Sequence, residues 1–152
     1  MTTNALGEPG RVVVATTTQA DPAHRAALAT VEGRLKEAGL PPLAWYDVLL
    51  ELERAGAPGL RPFELQKAML LAQYNLSRLI DRLEAQGHVA RAASEDDGRG
   101  HVLAITAKGR AMRRKIWPVY AAAIEAAVGA HLSPTEARAL GDLLERLYPP
   151  RS

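Results

Sequence analysis

A mainly α-helical fold carrying one short β-ribbon is what this sequence predicts, on three observations. Apolar residues recur at helical spacing in about six segments between residues 22 and 148. The stretch 88–106 breaks that period, with HVARAA and HVLAIT flanking the turn-forming SEDDGRG. Glycine and proline pairs fall between the periodic segments, at Gly39 with Pro41–Pro42 and at Gly56 with Pro58–Gly59.

The elements follow in order. Residues 1–21 are rich in Thr, Gly and Ala without a helical period and read as a flexible N-terminal arm, although Val12 to Val14 have strand character. Asp21 and Pro22 suit the cap and first turn of a helix over 22–39, with Leu28, Val31 and Leu35 as its stripe. Trp45, Val48, Leu49 and Leu52 mark a second helix. Pro62 opens a short third helix with Leu65, Ala68 and Met69 inward. The fourth lies in AQYNLSRLIDRLEAQG, residues 72–87, where Leu76, Leu79, Ile80 and Leu83 share one face. Gly87 takes the left-handed place that ends it.

The ribbon comes next, with Asp97–Gly98 as its hairpin signal. Thr106 caps a fifth helix through RAMRRKIWPVYAAAIEAAV, which Pro118 should bend by removing a backbone donor. Ser133–Pro134–Thr135–Glu136 is a capping box, and Leu140, Leu143, Leu144 and Leu147 follow on one face of a sixth helix. AAAIEAAV, residues 121–128, is nearly free of charge and needs cover, which predicts a homodimer.

Composition removes several functions. The chain has 152 residues and no cysteine, so disulfides and thiolate chemistry are excluded. Charges interrupt every apolar run, so no membrane span is expected. The opening MTTNALGEPG lacks the pattern of a secretory signal, and a cytoplasmic protein is the simplest expectation. No phosphate-binding glycine loop, nucleophile elbow or paired metal-binding histidines occur, so neither an enzyme nor a cofactor is expected. His24, His88, His101 and His131 are scattered, and no metal site is expected.

The charge balance points to a partner. Net charge is +2, but residues 61–115 hold eleven Lys+Arg against six Asp+Glu. The rest of the chain holds eight against eleven. A basic middle between acidic ends suits a polyanion. Two helices joined by a tight connection and followed by a ribbon have the order of a winged helix–turn–helix. A helix fits the major groove, where each base pair shows a distinct pattern of donors and acceptors. In that frame Gln73, Tyr74, Asn75, Ser77 and Arg78 face the bases or the phosphates beside them, Asn and Gln being suited to adenine and Arg to guanine. The alternative is a winged-helix protein–protein interaction module, which would need an exposed apolar patch on the fourth helix.

The run RPFELQKAMLLAQYNLSRLIDRLEAQGHVARAASEDDGRGHVLAITAKG resembles the core of the MarR (multiple antibiotic resistance regulator) family. Pro62 with Glu64–Leu65, the run Arg78 to Glu84, Gly87, Asp97–Gly98–Arg99, Ile105–Thr106 and Lys108–Gly109 carry the likeness. It implies a single domain over 22–148. Residues 42–106 would form the winged helix–turn–helix, and 22–39 with 107–148 the dimerisation helices. It implies a homodimer that binds double-stranded DNA at a pseudo-palindromic operator and usually represses transcription. Arg78 and Arg82 would contact DNA or position the helix. Arg99 would enter the minor groove, with Asp97 holding it or a neighbouring arginine. Asp81 and Glu84 would form salt bridges that orient arginines. Leu70 and Ala72 stand where the family often has glycine and serine, so Ala72 lacks a serine's cap, and Tyr74 is bulkier than the usual residue.

The resemblance also implies a response to a small aromatic acid or phenol, bound between the dimer helices and the DNA-reading part. Trp45, Tyr46, Trp117 and Tyr120 are the aromatic candidates to line such a cleft, Tyr120 first, and His24 and Arg25 could meet an anionic group. Plain core or interface packing is the competing reading of these aromatics.

Overall fold

The computed structural model describes residues 8–69, 75–93 and 100–147, with side chains from residue 22 onward. Six α-helices and a two-stranded antiparallel sheet make up the described chain. The first helix, α1 (Glu8–Glu37), corrects the expected boundary. It does not begin at Asp21–Pro22 after an arm of 21 residues but passes through Pro22. Proline in a helix interior gives up one hydrogen bond, yet neighbouring turns can carry the helix through. The valines and threonines that argued against helix lower its propensity by only tenths of a kcal/mol each, a weak signal.

The second helix, α2 (Leu43–Ala55), begins at Pro42, which has no side-chain cap. The backbone N–H of Leu43 donates instead to Glu32 Oε1 on α1 at 3.0 Å. A carboxylate there satisfies one of the donors that every helix start leaves open. Helix α3 (Pro62–Ala68) has proline in its first turn, and Glu64 accepts from the Arg61 N–H at 2.7 Å. Helix α4 (Leu76–Ala85) follows, and Gly87 adopts φ +80° just beyond it, as its place in the sequence required.

Strands β1 (Val89–Ala93) and β2 (His101–Ile105) pair from Val89 opposite Ile105 to Ala93 opposite His101. Leu60 adds a third short rung, exchanging both backbone hydrogen bonds with Leu103 at 2.8 and 2.9 Å. Thr106 then caps α5 (Ala107–Ile124), its hydroxyl accepting from the Gly109 N–H at 3.0 Å. The fifth helix was expected to run to Val128 with a bend at Pro118. It instead passes through Pro118 and changes to a π-helical turn over Glu125–Gly129. The Ser133–Glu136 capping box opens α6 (Pro134–Glu145) as expected.

Two cores meet at Met112. One joins α2, α3, α4 and the ribbon through Val48, Leu49, Leu52, Leu65, Leu83 and Leu103, all fully buried. The other joins α1, α2 and α5 through Val31, Leu35, Tyr46, Ile116 and Ala123. The first core fixes the ribbon and α4 as one body, which sets the geometry of the site. Among the described residues no helix is long and apolar enough to cross a membrane.

Candidate nucleic-acid interface

Helix α4 buries Ile80 and Leu83 and half-buries Leu76 and Leu79. That packing turns Ser77, Arg78, Asp81, Arg82 and Glu84 outward, and all five are exposed. Arg78 and Arg82 are one turn apart and therefore stack along the same side of the helix. They border a cavity of about 270 Å³ together with Asn75, Leu79, Pro42, Ala44 and Trp45.

Asn75 has a structural role that the sequence reading did not give it. The helix begins at Leu76, and its cap is Asn75, three residues after Ala72, with Oδ1 accepting from the Arg78 N–H at 3.3 Å. The cap thought missing at Ala72 is thus supplied further along. Bidentate pairing with adenine needs an amide oxygen as well as its nitrogen. Here one lone pair of that oxygen serves the backbone, and the other stays open among the described residues. Gln73, Tyr74, Asp97 and Arg99 lie outside the described residues.

Asp81 and Glu84 do orient an arginine, but one absent from the predicted set. Arg91 on β1 places Nη2 3.1 Å from Asp81 Oδ1 and Nε 3.2 Å from Glu84 Oε2. Alternation along β1 was the available signal: Arg91 lies two residues from Val89, on the side of the strand that returns to α4. At the base of the ribbon, Gly109 lies so close to the His88 carbonyl that an added Cβ would enter its van der Waals radius and sit 2.8 Å from Ile105 Cγ1. His88 itself is buried with its ring edge-on to Trp45, centroids 5.5 Å apart. Burial, above all, holds its imidazole below the ordinary value.

The aromatic candidates divide. Tyr46, Trp117 and Tyr120 come together, with centroids 5.1 Å apart for Tyr46–Tyr120, 6.0 Å for Tyr46–Trp117 and 5.8 Å for Trp117–Tyr120. They line a cleft of about 380 Å³ between α2 and α5. Trp45 does not belong to it. It points one hundred degrees away round α2 and packs into the core shared by α2, α3, α4 and the ribbon. His24 and Arg25 are exposed on α1, a turn or more before the residues that pack on α2 and α5, and neither lines the cleft. The sequence reading missed Asp47, Glu51 and Arg54 in its wall. Their spacing of three and four along α2 is the signal that could have found them.

The sequence pattern of the MarR family matches residues 38–100, a span that includes α2, α3, α4 and β1. An HTH-type transcriptional repressor of Mycobacterium tuberculosis, Rv2887, is 34% identical over 91 residues, covering 60% of this chain and 65% of that protein. The solved structure of Sco3205, a MarR family transcriptional regulator from Streptomyces coelicolor in complex with DNA, superposes with a TM-score of 0.76 at 25% identity. That match covers 95% of this chain and 88% of the other.

Over residues 38–100 the chain matches the MarR family, and its fold is that of MarR-family regulators.

The MarR-type winged helix–turn–helix is the fold predicted from the order of the elements. The chain spans 65% of the length of the curated relatives it matches. Another MarR-like fold is that of BpsR from Bordetella bronchiseptica, solved in a study of how 6-hydroxynicotinic acid regulates its DNA binding. It shares 23% identity at a TM-score of 0.76, covering 86% of this chain and 91% of BpsR, a likeness of fold.

Proposed function

We propose that this chain is a sequence-specific double-stranded DNA-binding transcriptional regulator of the MarR family. It acts as a homodimer on a pseudo-palindromic operator and represses until a small aromatic ligand enters the Tyr46–Trp117–Tyr120 cleft. The observation that carries the reading is the outward face of α4. Ser77, Arg78 and Arg82 are exposed there, and the ribbon beside them is tied to the same helix through Arg91. Such a face offers donors to base edges and charge to phosphates.

Residues 42–106 are the DNA-reading part, and 22–39 with 107–148 supply the dimer contacts. Leu140, Leu143, Leu144 and Leu147 of the C-terminal segment are exposed, 41–76% of each being accessible, and a second copy would cover them. Work on DNA places the protein in the cytoplasm. A protein-interaction module would expose apolar side chains on α4, yet the outward residues there are polar apart from Ala85.

A gel-shift titration against the promoter region of the chain's own gene, repeated at rising salt, tests this. Retention of that DNA over unrelated DNA, with affinity falling steeply as salt rises, supports the reading because phosphate contacts release counterions. Equal binding to both DNAs, or none, overturns it.

A further inference from the structure

We propose that the cleft between α2 and α5 takes an aromatic ligand bearing a cationic nitrogen, with the Asp47 carboxylate as its counter-ion. The proposal rests on the reading of this cleft as the effector site and names the class of ligand. Tyr46 belongs to the buried core, but Trp117 stacked beside it is 50% exposed, so the aromatic cluster is open on one side. A cavity of about 380 Å³ walled by Tyr46, Trp117 and Tyr120 has room and faces for a ring.

The charges in that wall are unbalanced. Two carboxylates, Asp47 and Glu51, face one guanidinium, Arg54. Arg54 is already engaged, its Nη1 lying 3.1 Å from Glu51 Oε1. Arg113 on α5 sits over the Tyr46 ring at 5.9 Å, but its charge is paired with Glu53. Asp47 has no ion pair among the described residues, and its Oδ2 is shut from solvent without a hydrogen-bond partner. A buried polar atom in that state destabilises the fold until a donor reaches it.

The groups around Asp47 do not supply that donor. Glu51 lies on its own helix and Glu32 faces it from α1, while Tyr120 on α5 is the ionisable group opposite. Burial first, then Glu51 and Glu32, pushes the Asp47 carboxyl up to about 6, a mark of a negative charge that the fold leaves uncompensated. A carboxylate ligand entering here would meet like charge. An ammonium or protonated ring nitrogen would meet a carboxylate at one end and aromatic faces around it, and cation–π contact adds to the ion pair.

Three probes of similar shape separate the classes: 2-phenylethylamine, 2-phenylethanol and phenylacetate, titrated calorimetrically into the purified chain near neutral pH. The amine is expected to bind about tenfold more tightly than the alcohol, with the acid weakest. Its advantage shrinks as the solution is acidified below about pH 6 and Asp47 takes up a proton. In Asp47→Asn the amine and alcohol bind alike, and in Glu51→Gln the amine keeps a reduced lead. Acid or alcohol binding as tightly as the amine overturns the proposal, as does no binding of the amine or an undiminished preference in Asp47→Asn. A gel shift on the same samples separates this from the regulator reading. Promoter DNA bound and released by phenylacetate but not by the amine would leave the regulator and end the cation site. Amine-selective binding without retention of DNA would do the reverse.

Discussion

Arg91 on β1 bridges two carboxylates one turn apart on α4, reaching Asp81 at 3.1 Å and Glu84 at 3.2 Å. The bridge ties the ribbon to the helix proposed to read DNA, so the two approach the duplex as one unit. The carboxylates are 67% and 42% exposed, so the pairs add about 1 kcal/mol or less to stability. Arg91→Ala is therefore expected to leave the melting temperature nearly unchanged while weakening operator binding severalfold. Arg91→Lys keeps the charge but cannot span both acids in the same way, and should recover only part of the loss. Full affinity in Arg91→Lys would mean that only charge matters at this position.

Arg78→Ala and Arg99→Ala test the direct contacts. Each is expected to cost about 1–3 kcal/mol in operator affinity without disturbing the fold or the dimer. A shallower dependence of affinity on salt would assign the arginine to phosphate, and an unchanged slope with relaxed base preference would assign it to a base edge. Unchanged affinity in both variants contradicts the proposed docking.

Gly109→Ala tests the base of the ribbon. The new methyl would push against the Ile105 side chain and the His88 carbonyl, and the carbonyl can move only if the backbone leading into β1 shifts. Overpacking of this kind costs about 1–3 kcal/mol. A lower melting temperature is expected, read by circular dichroism, and a melt identical to the parent's would show that the junction yields.

Two buried groups give opposite pH signatures. Burial, then Glu51 and Glu32, raises Asp47 from 3.8 to about 6. The folded state holds that proton more tightly than the unfolded chain does, so the carboxylate costs stability at neutral pH. The cost vanishes as pH falls from about 6 to about 4. Solvent access limits its size to roughly 1–2 kcal/mol. His88 is held below 6.5, chiefly by burial, so the unfolded chain protonates first and stability is lost as pH falls below that value. Asp47→Asn should accordingly raise the melting temperature at neutral pH, lose that advantage near pH 4, and expose the fall due to His88. An advantage independent of pH would refute the assignment to Asp47.

Much of the fold was legible because local signals agreed with tertiary packing. Gly87, Thr106 and the Ser133–Glu136 box each stand where a helix must start or stop, and the structure uses them so. The start of α1 was not legible, since Pro22 is a strong stop by itself and the turns before it carry only weak propensity. Asn75 shows a second limit. Its polar face was visible in the sequence, but its use as a cap depends on where the backbone turns into α4. Trp117 and Tyr120 share a face of one helix by spacing, but their meeting with Tyr46 on another helix was expected only from the family resemblance. Arg91 and Asp47 matter through partners 7 or more residues away or through burial. No period in the sequence records such relations.

Placement of α4 in the major groove is the claim on which the proposed function depends. The chain has no cysteine, so Ser77→Cys gives a unique handle on the exposed face of α4. An iron–EDTA cutting reagent attached there and activated on operator DNA measures where that face lies. Two clusters of major-groove cleavage about 10 base pairs apart, one from each copy, are expected. Cleavage scattered along the duplex, or absent while the DNA remains bound, would contradict the docking.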